Sequence, residues 1–222
     1  IELAKQRWLI QKTGSVSLQV IVADNGSTDN TASIAVSRGC EVVAVERRVI
    51  AAARNGGAAI ATGQILAFVD ADSRIHPDTF IAIERATSDP RVLGGATGVT
   101  MQRWSAGIAL TYASMLPMVW ISGFDSGVMF WRRTDFVALG GFDESKPVAE
   151  DIDFLLRLRR LGRLRGQRFC RLKCVKTITS ARKFDLYGDW HFFTRMPALA
   201  WATLVKSKAA ADLVRRYWYE GR

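Results

Sequence analysis

The sequence ILAFVDADS, residues 65–73, is the most informative segment of the chain. It joins a short apolar run, residues 65–69, to two carboxylates one residue apart, Asp70 and Asp72. Such a run predicts a buried strand, and ligands of open α/β sheets bind at the carboxyl ends of strands. Paired carboxylates suit Mg²⁺ or Mn²⁺, which in turn neutralise phosphates. The stretch predicts a metal-assisted site for a phosphorylated ligand; the alternative is a loop in which Asp70 caps the next helix and Asp72 is solvated.

Composition and charge limit the classes of function. The chain has 222 residues, enough for one large α/β domain with a real core. Its formal net charge of +10 favours anionic partners: nucleic acid, nucleotide phosphates or an acidic membrane face. Only two histidines are present, which excludes a multi-histidine zinc site. Three cysteines argue against a disulfide scaffold and for a reducing compartment, and Cys170 and Cys174 are predicted to be ordinary core thiols.

Strand-like and helix-like segments alternate through the first half of the chain. Strands are predicted at residues 16–23, 41–45 and 65–69, and helices at residues 1–11, 29–37, 50–62 and 77–87. This alternation predicts a mostly parallel sheet flanked by helices. Asp24, Asp70 and Asp72 each follow an apolar run, so in such a sheet they share one edge and converge on one ligand.

The second half changes character. We predict a β-prone segment at 92–101, a long apolar segment at 106–121, a strand at 128–132, and helices at 134–139 and 150–161, the last ended by Gly162. Glu150, Asp151 and Asp153 open that last helix. Because the helix dipole favours acidic residues in a first turn, capping is the alternative to a catalytic role. The uncharged run at 106–124 contains Pro117, and a buried or surface-docking segment is favoured over a membrane span.

The chain carries four blocks in a recognisable order: VADNGSTD at 22–29, ARNG at 53–56, FVDAD at 68–72, and GGFDE at 140–144 followed by EDIDF at 150–154. In order and spacing they resemble the blocks of family-2 glycosyltransferases, from about residue 20 to residue 162. The resemblance implies a glycosyltransferase A-type (GT-A) fold, in which a Rossmann-like sheet joins a smaller acceptor-binding part. It also implies an inverting hexosyltransferase that uses a nucleotide-sugar donor.

The resemblance assigns roles on the donor side. Asp24 contacts the base or its ribose, Arg54 lies beside the base or the phosphates, and Asp70 reaches the ribose or metal-bound water. Asp72 ligates Mg²⁺ or Mn²⁺ at the diphosphate, with Asp70 as the second carboxylate of the metal site. Arg182 is a second candidate for the donor phosphates, because a cation offsets the charge that develops on the leaving group; a solvated surface position is its alternative.

On the acceptor side, the resemblance implies that Asp151 is the general base and that Glu150 supports it or positions the acceptor. The chemistry agrees, since the acceptor hydroxyl must lose its proton as it attacks the anomeric carbon. One base acting opposite the leaving group gives inversion. Members of the family usually begin with a strand and a turn that hold the nucleotide, and no such strand precedes Ile1. The first strand is therefore expected to lie outside the given chain, or the donor site to be incomplete.

The predicted organisation is one structural domain in three parts: a nucleotide-sugar-binding half at 1–100, an acceptor-side half at 101–189 and a helical tail at 190–222. The predicted partners are a UDP- or GDP-sugar and a hydroxyl acceptor that is a glycan, a lipid-linked molecule or a small molecule, without nucleic acid. The predicted location is cytoplasmic, with peripheral contact at the inner membrane face left open, and no oligomeric state is predicted. The alternatives are a sugar nucleotidyltransferase-like enzyme and a non-catalytic basic adaptor for membrane or nucleic acid.

Overall fold

The computed structural model describes residues 1–11, 17–122, 125, 127–146 and 149–195. Its helices are α1 (Glu2–Ile10), α2 (Thr31–Ser37), α3 (Ile50–Ile60), α4 (Thr79–Thr87), α5 (Ala106–Ser122), α6 (Arg133–Ala138), α7 (Glu150–Leu164) and α8 (Arg182–Tyr187). Its strands are β1 (Ile21–Asp24), β2 (Glu41–Ala44), β3 (Ile65–Phe68), β4 (Ser73–Arg74), β5 (Val92–Met101), β6 (Met129–Arg132) and β7 (Arg168–Thr179).

The chain divides into two compact units. The first comprises Ile1–Thr100 and Gly123–Ile178, and the second comprises Met101–Ser122 and Thr179–Arg222. The first unit holds the strands and the four sequence blocks. Within the second unit, the guanidinium of Arg103 binds the carboxylates of Asp185 and Asp189 at 2.6–3.2 Å. The predicted functional division at residues 100 and 189 stays a prediction.

The strands form a parallel pair, β1–β2, and a five-stranded sheet in the order β3-β6-β5-β7-β4. The predicted α/β class is confirmed, but the sheet is mixed rather than mostly parallel. β6 runs antiparallel to both β3 and β5. The reason is that β6, which comes from the second half of the chain, inserts between two strands of the first half in the opposite direction.

The predicted elements of the first half are present with shifted ends. The strand predicted at 16–23 begins only at Ile21 in the structure, and the first predicted residue lies outside the described residues.

In the second half, the sequence pattern does not predict the strand β7, because basic residues interrupt its apolar pattern. The predicted end of α7 at Gly162 is wrong, since the helix continues to Leu164. A Cβ on Gly162 would lie 2.6 Å from Leu93 Cδ2, so this glycine permits close packing of α7 on β5.

An aromatic cluster forms much of the core of the first unit. It consists of Phe68 of β3, Trp131 of β6, Phe136 of α6, Phe142 of the loop between α6 and α7, and Phe154 of α7, with ring centroids 4.7–6.3 Å apart. The buried face of α7 repeats at helical spacing: Phe154, Leu155 and Leu158 belong to the core, and Gly162, one turn after Leu158, is also buried. The start of α7 and the end of β3 are thereby fixed on one packed support.

The long apolar segment predicted at 106–121 is α5, a helix with Pro117 inside it. Its Ile108 is buried, whereas Leu110 is half exposed. Among the described residues, none of the helices combines the length and the apolar character needed to cross a membrane. The predicted helical tail begins with a helical stretch at 191–195 and otherwise lies outside the described residues.

The cysteine prediction needs one correction. Cys170 is half-buried, and burial raises the pKa of its thiol. Cys174, four residues along β7, is exposed and is not a core thiol. The error arose because β7 itself was not predicted. On this strand Leu172 and Val175 supply the buried contacts instead.

Gly94 and Gly95 of β5, at the centre of the five-stranded sheet, have no room for a side chain. A Cβ on Gly95 would lie 2.8 Å from Phe130 Cζ and would collide with the carbonyl oxygen of Cys170. We expect Gly95→Ala to lower the free energy of unfolding by about 3 kcal/mol, because overpacking a core costs roughly 1–3 kcal/mol and here the obstacle is backbone. Urea denaturation measures the change.

Gly63→Ala is the matched control for Gly95→Ala. Its Cβ would meet only Ile65 O, at an ordinary 3.5 Å. This variant should stay within about 0.5 kcal/mol of the parent protein. Equal stability of the two variants would show that β5 and its neighbours are not packed as described.

Candidate active site

Arg54 of α3 joins two carboxylates from distant parts of the sequence. Its Nη1 donates to Glu150 Oε1 at 2.9 Å, and its Nη2 donates to Asp70 Oδ1 at 3.1 Å. The side chains of Arg54 and Glu150 are 14% and 6% exposed, whereas that of Asp70 is 61% exposed. One arm of the guanidinium is therefore in a buried ion pair, and the other reaches a solvent-facing carboxylate. Three predicted site residues meet at this point.

The local sequence explains the position of Asp70. It follows β3 directly, and the N–H of Ser73 donates to the Asp70 carbonyl at 3.0 Å, which closes a turn before β4. Asp72 lies in this turn and is exposed. The alternative in which Asp70 caps the next helix is wrong, because α4 begins at Thr79 with Asp78 at its N-cap position. The carboxylate of Asp70 instead binds Arg54.

The first turn of α7 directs three carboxylates to three different places. Glu150 binds Arg54, and Asp153 binds Lys146 and Arg157. Asp151 Oδ1 accepts the Ile152 backbone N–H at 2.8 Å, so this carboxylate also satisfies a first-turn donor. The N-cap residue, Ala149, makes no side-chain cap and has a φ of +63°, a conformation that a residue with a Cβ rarely adopts. Capping alone does not account for Glu150 and Asp153.

The pKa values of Glu150 and Asp153 are shifted in opposite directions. Burial raises the pKa of Glu150 above its ordinary value of 4.5, and Arg54 opposes this shift without cancelling it. Lys146 and Arg157 hold the pKa of Asp153 below its ordinary value. At one helix start, therefore, a carboxyl group that resists ionisation lies three residues from one that ionises readily. Such separation is common at functional sites.

The raised pKa of Glu150 predicts a pH effect on stability. The folded protein keeps this proton to a higher pH than the unfolded chain does. The stability from this group is therefore complete below pH 4.5 and is lost as the pH rises through the folded pKa. We expect the parent protein to lose stability relative to Glu150→Gln as the pH rises from about 4.5. Urea denaturation of both proteins across pH 4–7 measures this, and a difference that is flat or grows in favour of the parent would contradict it.

The loop between α6 and α7 wraps around Asn55 of α3. Gly140 and Gly141 have φ angles of +73° and +70°, which favour glycine. The Asn55 side chain then exchanges two hydrogen bonds with the backbone of Phe142: it donates to the carbonyl and accepts the N–H, both at 2.9 Å. Asn55 Nδ2 also donates to Glu144 Oε1 at 2.9 Å. The second and fourth sequence blocks are thus held together by one amide.

Sequence reasoning missed several residues of this network. Asn55 belongs to the second sequence block, ARNG at 53–56, and this position is a signal that the sequence does carry. Glu144 Oε2 also accepts from Arg47 Nη1 at 3.2 Å, and the carbonyl of Arg47 accepts from Asn25 Nδ2 at 2.7 Å. These contacts run from the first block, through the β2–α3 connection, to the fourth block. No spacing signal marks Arg47.

Asp24 occupies the end of β1, as predicted. Its Oδ1 accepts the Ser27 N–H at 2.9 Å, and the Ser27 contacts hold the pKa of Asp24 below its usual value. The expectation that Asp24, Asp70 and Asp72 share one sheet edge is wrong in that form, because β1 and β3 belong to different sheets. α3 links them instead: Gly57 lies against Ala23 of β1, and Arg54 one turn earlier reaches Asp70.

Arg182 belongs to the second unit, where it begins α8. Its backbone N–H donates to Ser180 Oγ at 3.1 Å, and the residue is exposed. Its predicted role at the donor phosphates stays a prediction.

The two carboxylates at the end of β3 suit a metal ion that binds together with a substrate. Within the described residues, no group of three or more His, Cys, Asp or Glu side chains is placed to hold a metal ion. Asp70 and Asp72 therefore supply two carboxylates at most. Mg²⁺ and similar hard ions are commonly held by one or two carboxylates, with phosphate oxygens and water completing the shell. A divalent cation that binds with a nucleoside diphosphate matches this set.

With this geometry established, comparison with known proteins identifies the family. Residues 9–135, more than half of the chain, match the family described as Glycosyl transferase family 2. The chain belongs to this family. The predicted enzyme class is thereby confirmed, and the nucleotidyltransferase and adaptor alternatives are excluded. No curated protein matches the chain significantly.

Solved structures show the same fold. Glucosyl-3-phosphoglycerate synthase from Mycobacterium tuberculosis, in complex with Mn²⁺, UDP and glucosyl-3-phosphoglycerate, is 22% identical with a TM-score of 0.60, covering 92% of this chain and 74% of that one. The same enzyme with Mn²⁺, UDP-glucose and phosphoglyceric acid gives 22% and 0.59, covering 92% and 73%. TarS residues 1–349 from S. aureus, in complex with UDP, gives 16% and 0.58, covering 96% and 65%. The predicted GT-A fold is confirmed.

Proposed function

We propose that this family-2 glycosyltransferase transfers a hexose from a UDP-sugar to an acceptor hydroxyl, with inversion and with a divalent cation. One observation carries the proposal: a single guanidinium brings the end of β3 and the start of α7 together, through Asp70 and Glu150. Donor activation and acceptor deprotonation need carboxylates at two neighbouring points, and these two elements supply them. Mn²⁺ and UDP in the related synthase support UDP over the GDP alternative.

On the donor side, Asp72 and Asp70 would hold Mn²⁺, with Mg²⁺ as the alternative ion. When bound, the cation neutralises charge on the diphosphate leaving group as a Lewis acid. Asp24 would hold the base or ribose, and its lowered pKa keeps it an acceptor of hydrogen bonds at neutral pH. Arg182 stays a candidate for the phosphates. The direct donor contact expected of Arg54 competes with the two ion pairs that its side chain already makes.

On the acceptor side, Asp151 is the proposed general base. Its carboxylate lies at the start of α7, next to the buried Glu150 and half exposed, so that an acceptor hydroxyl can approach it. Removal of the hydroxyl proton by Asp151 raises the nucleophilicity of the oxygen as it attacks the anomeric carbon. The base and the leaving group then act on opposite faces of the sugar, which inverts the anomeric configuration.

The acceptor is proposed to be anionic, since the chain carries a net charge of +10. The related synthase was solved with phosphoglyceric acid, which is such a molecule. The proposal includes a lipid-linked molecule among the possible acceptors, and it places the protein in the cytoplasm with peripheral contact to the membrane. Flotation with anionic vesicles at low salt tests the membrane contact, and the absence of binding would remove it.

Calorimetric titration tests the donor. UDP, GDP and dTDP are each added to the full chain, once with Mn²⁺ and once with EDTA. We expect UDP to bind with Mn²⁺ and to bind far more weakly with EDTA. Binding of another nucleotide would change the donor assignment, and binding that does not depend on the metal would overturn the roles of Asp70 and Asp72.

A further inference from the structure

The guanidinium of Arg54 is engaged on two sides and covered on a third. It donates to Glu150 at 2.9 Å and to Asp70 at 3.1 Å, and its centre lies 5.4 Å from the centroid of the Phe142 ring. Only 14% of the side chain is exposed. Its two terminal nitrogens thus each bind a carboxylate of the protein, one from the end of β3 and one from the start of α7.

We propose that Arg54 is a positioning residue, which holds Asp70 of the donor side and Glu150 of the acceptor side in one fixed arrangement. The inference rests on the proposed function and deepens it. It assigns Arg54 to the coupling of the donor side and the acceptor side of the site.

The buried arm gives Arg54 its structural importance. Glu150 is 6% exposed, and a carboxylate at that depth is costly unless it is paired. Removing one partner of a buried pair leaves an uncompensated charge. Arg54 therefore determines where the first residue of α7 lies, and Asp151 follows directly in the same turn.

The exposed arm gives Arg54 its effect on the donor. Asp70 lies at the end of a strand, in a turn, with 61% of its side chain exposed. Without a partner, such a side chain samples several rotamers, and the cation would have to select one of them. A planar fork can hold two carboxylates at once, whereas a lysine ammonium is a point charge on a flexible stem. Lysine should therefore fail at this position even though it keeps the charge.

The first test is Mn²⁺-dependent UDP binding by calorimetry. We expect Arg54→Ala and Arg54→Lys to weaken it alike, by roughly tenfold or more, as is typical for partners that orient metal ligands. If Arg54 binds the diphosphate as a charge, Arg54→Lys would instead stay close to the parent affinity, which would overturn the proposal. Arg47→Ala is the matched control. It removes the ion pair between Arg47, just before α3, and Glu144, in the loop before α7, and it should leave UDP affinity within about threefold.

The second test does not depend on the nucleotide. Arg54→Ala should lower the unfolding midpoint by roughly 6–12 °C, because it leaves the buried carboxyl group of Glu150 without its partner. Adding Glu150→Gln removes that carboxyl group, and the double variant should regain at least half of the loss. A double variant no more stable than Arg54→Ala would overturn the coupling. If Arg54→Ala does not fold, Arg54→Gln with and without Glu150→Gln gives the same comparison, because glutamine also removes the positive charge and leaves a smaller gap. Failure of the parent protein to bind UDP, with this coupling intact, would overturn the proposed function alone.

Discussion

Replacing Asp151 with asparagine is expected to lower the rate of sugar transfer by roughly 10²–10⁴-fold, the usual contribution of a positioned general base. Asparagine has nearly the same shape and can still accept the Ile152 N–H that Asp151 Oδ1 accepts at 2.8 Å. It cannot take a proton from the acceptor hydroxyl. The start of α7 should stay in place, so Mn²⁺-dependent UDP binding should remain within about twofold of the parent value. Steady-state transfer kinetics and calorimetry measure the two quantities.

Asp153→Asn is the matched control for Asp151→Asn, because it makes the same change in the same helical turn. Asp153 is bound by Lys146 and Arg157, so its substitution should cost stability and leave transfer within about tenfold. Full activity of Asp151→Asn would show that another group is the base. Equal losses in the two variants would show that the turn as a whole, rather than the Asp151 carboxylate, matters.

Removing the Asp72 carboxylate is expected to weaken Mn²⁺-dependent UDP binding by about 100-fold or more. Even groups that only orient metal ligands contribute about 10–100-fold to metal affinity, and Asp72 is proposed as a ligand itself. Asp72 is exposed in the turn after β3, so Asp72→Ala should not unfold the protein. Calorimetry of UDP with Mn²⁺ and with EDTA gives the comparison, and the two proteins should differ only when the metal is present.

Asp78→Ala controls for the loss of a negative charge near this turn. Asp78 is a partly exposed carboxylate at the start of α4, paired with Arg7 at 3.2 Å. Its replacement should leave UDP affinity within about twofold. An Asp72→Ala protein that binds UDP and Mn²⁺ as the parent does would remove Asp72 from the metal site. A difference that persists in EDTA would assign Asp72 to the nucleotide instead.

Much of the fold was accessible from local sequence. The apolar run ending in Asp70 is a strand, and β5 has the predicted bounds, Val92–Met101. Apolar pattern and the flanking turn residues are local properties, so they can be read directly. β7 was not accessible in this way, because Arg171, Lys173 and Lys176 break its apolar pattern. Its strand conformation depends on pairing with β5 and β4 in the sheet, which is a long-range property.

The candidate site also combines features set by local sequence with features set by long-range packing. Local sequence is enough to place carboxylates at the end of β1, at the end of β3 and at the start of α7, because strand ends and helix starts are set by neighbouring residues. The contact of Arg54 with Glu150, 96 positions away, and the separation of β1 and β3 into different sheets arise from the packing of the folded chain. The hydrogen bonds of Asn55 with the Phe142 backbone arise in the same way. Such contacts depend on how the packed helices and strands bring distant segments together, and the spacing of residues along the chain does not specify that packing.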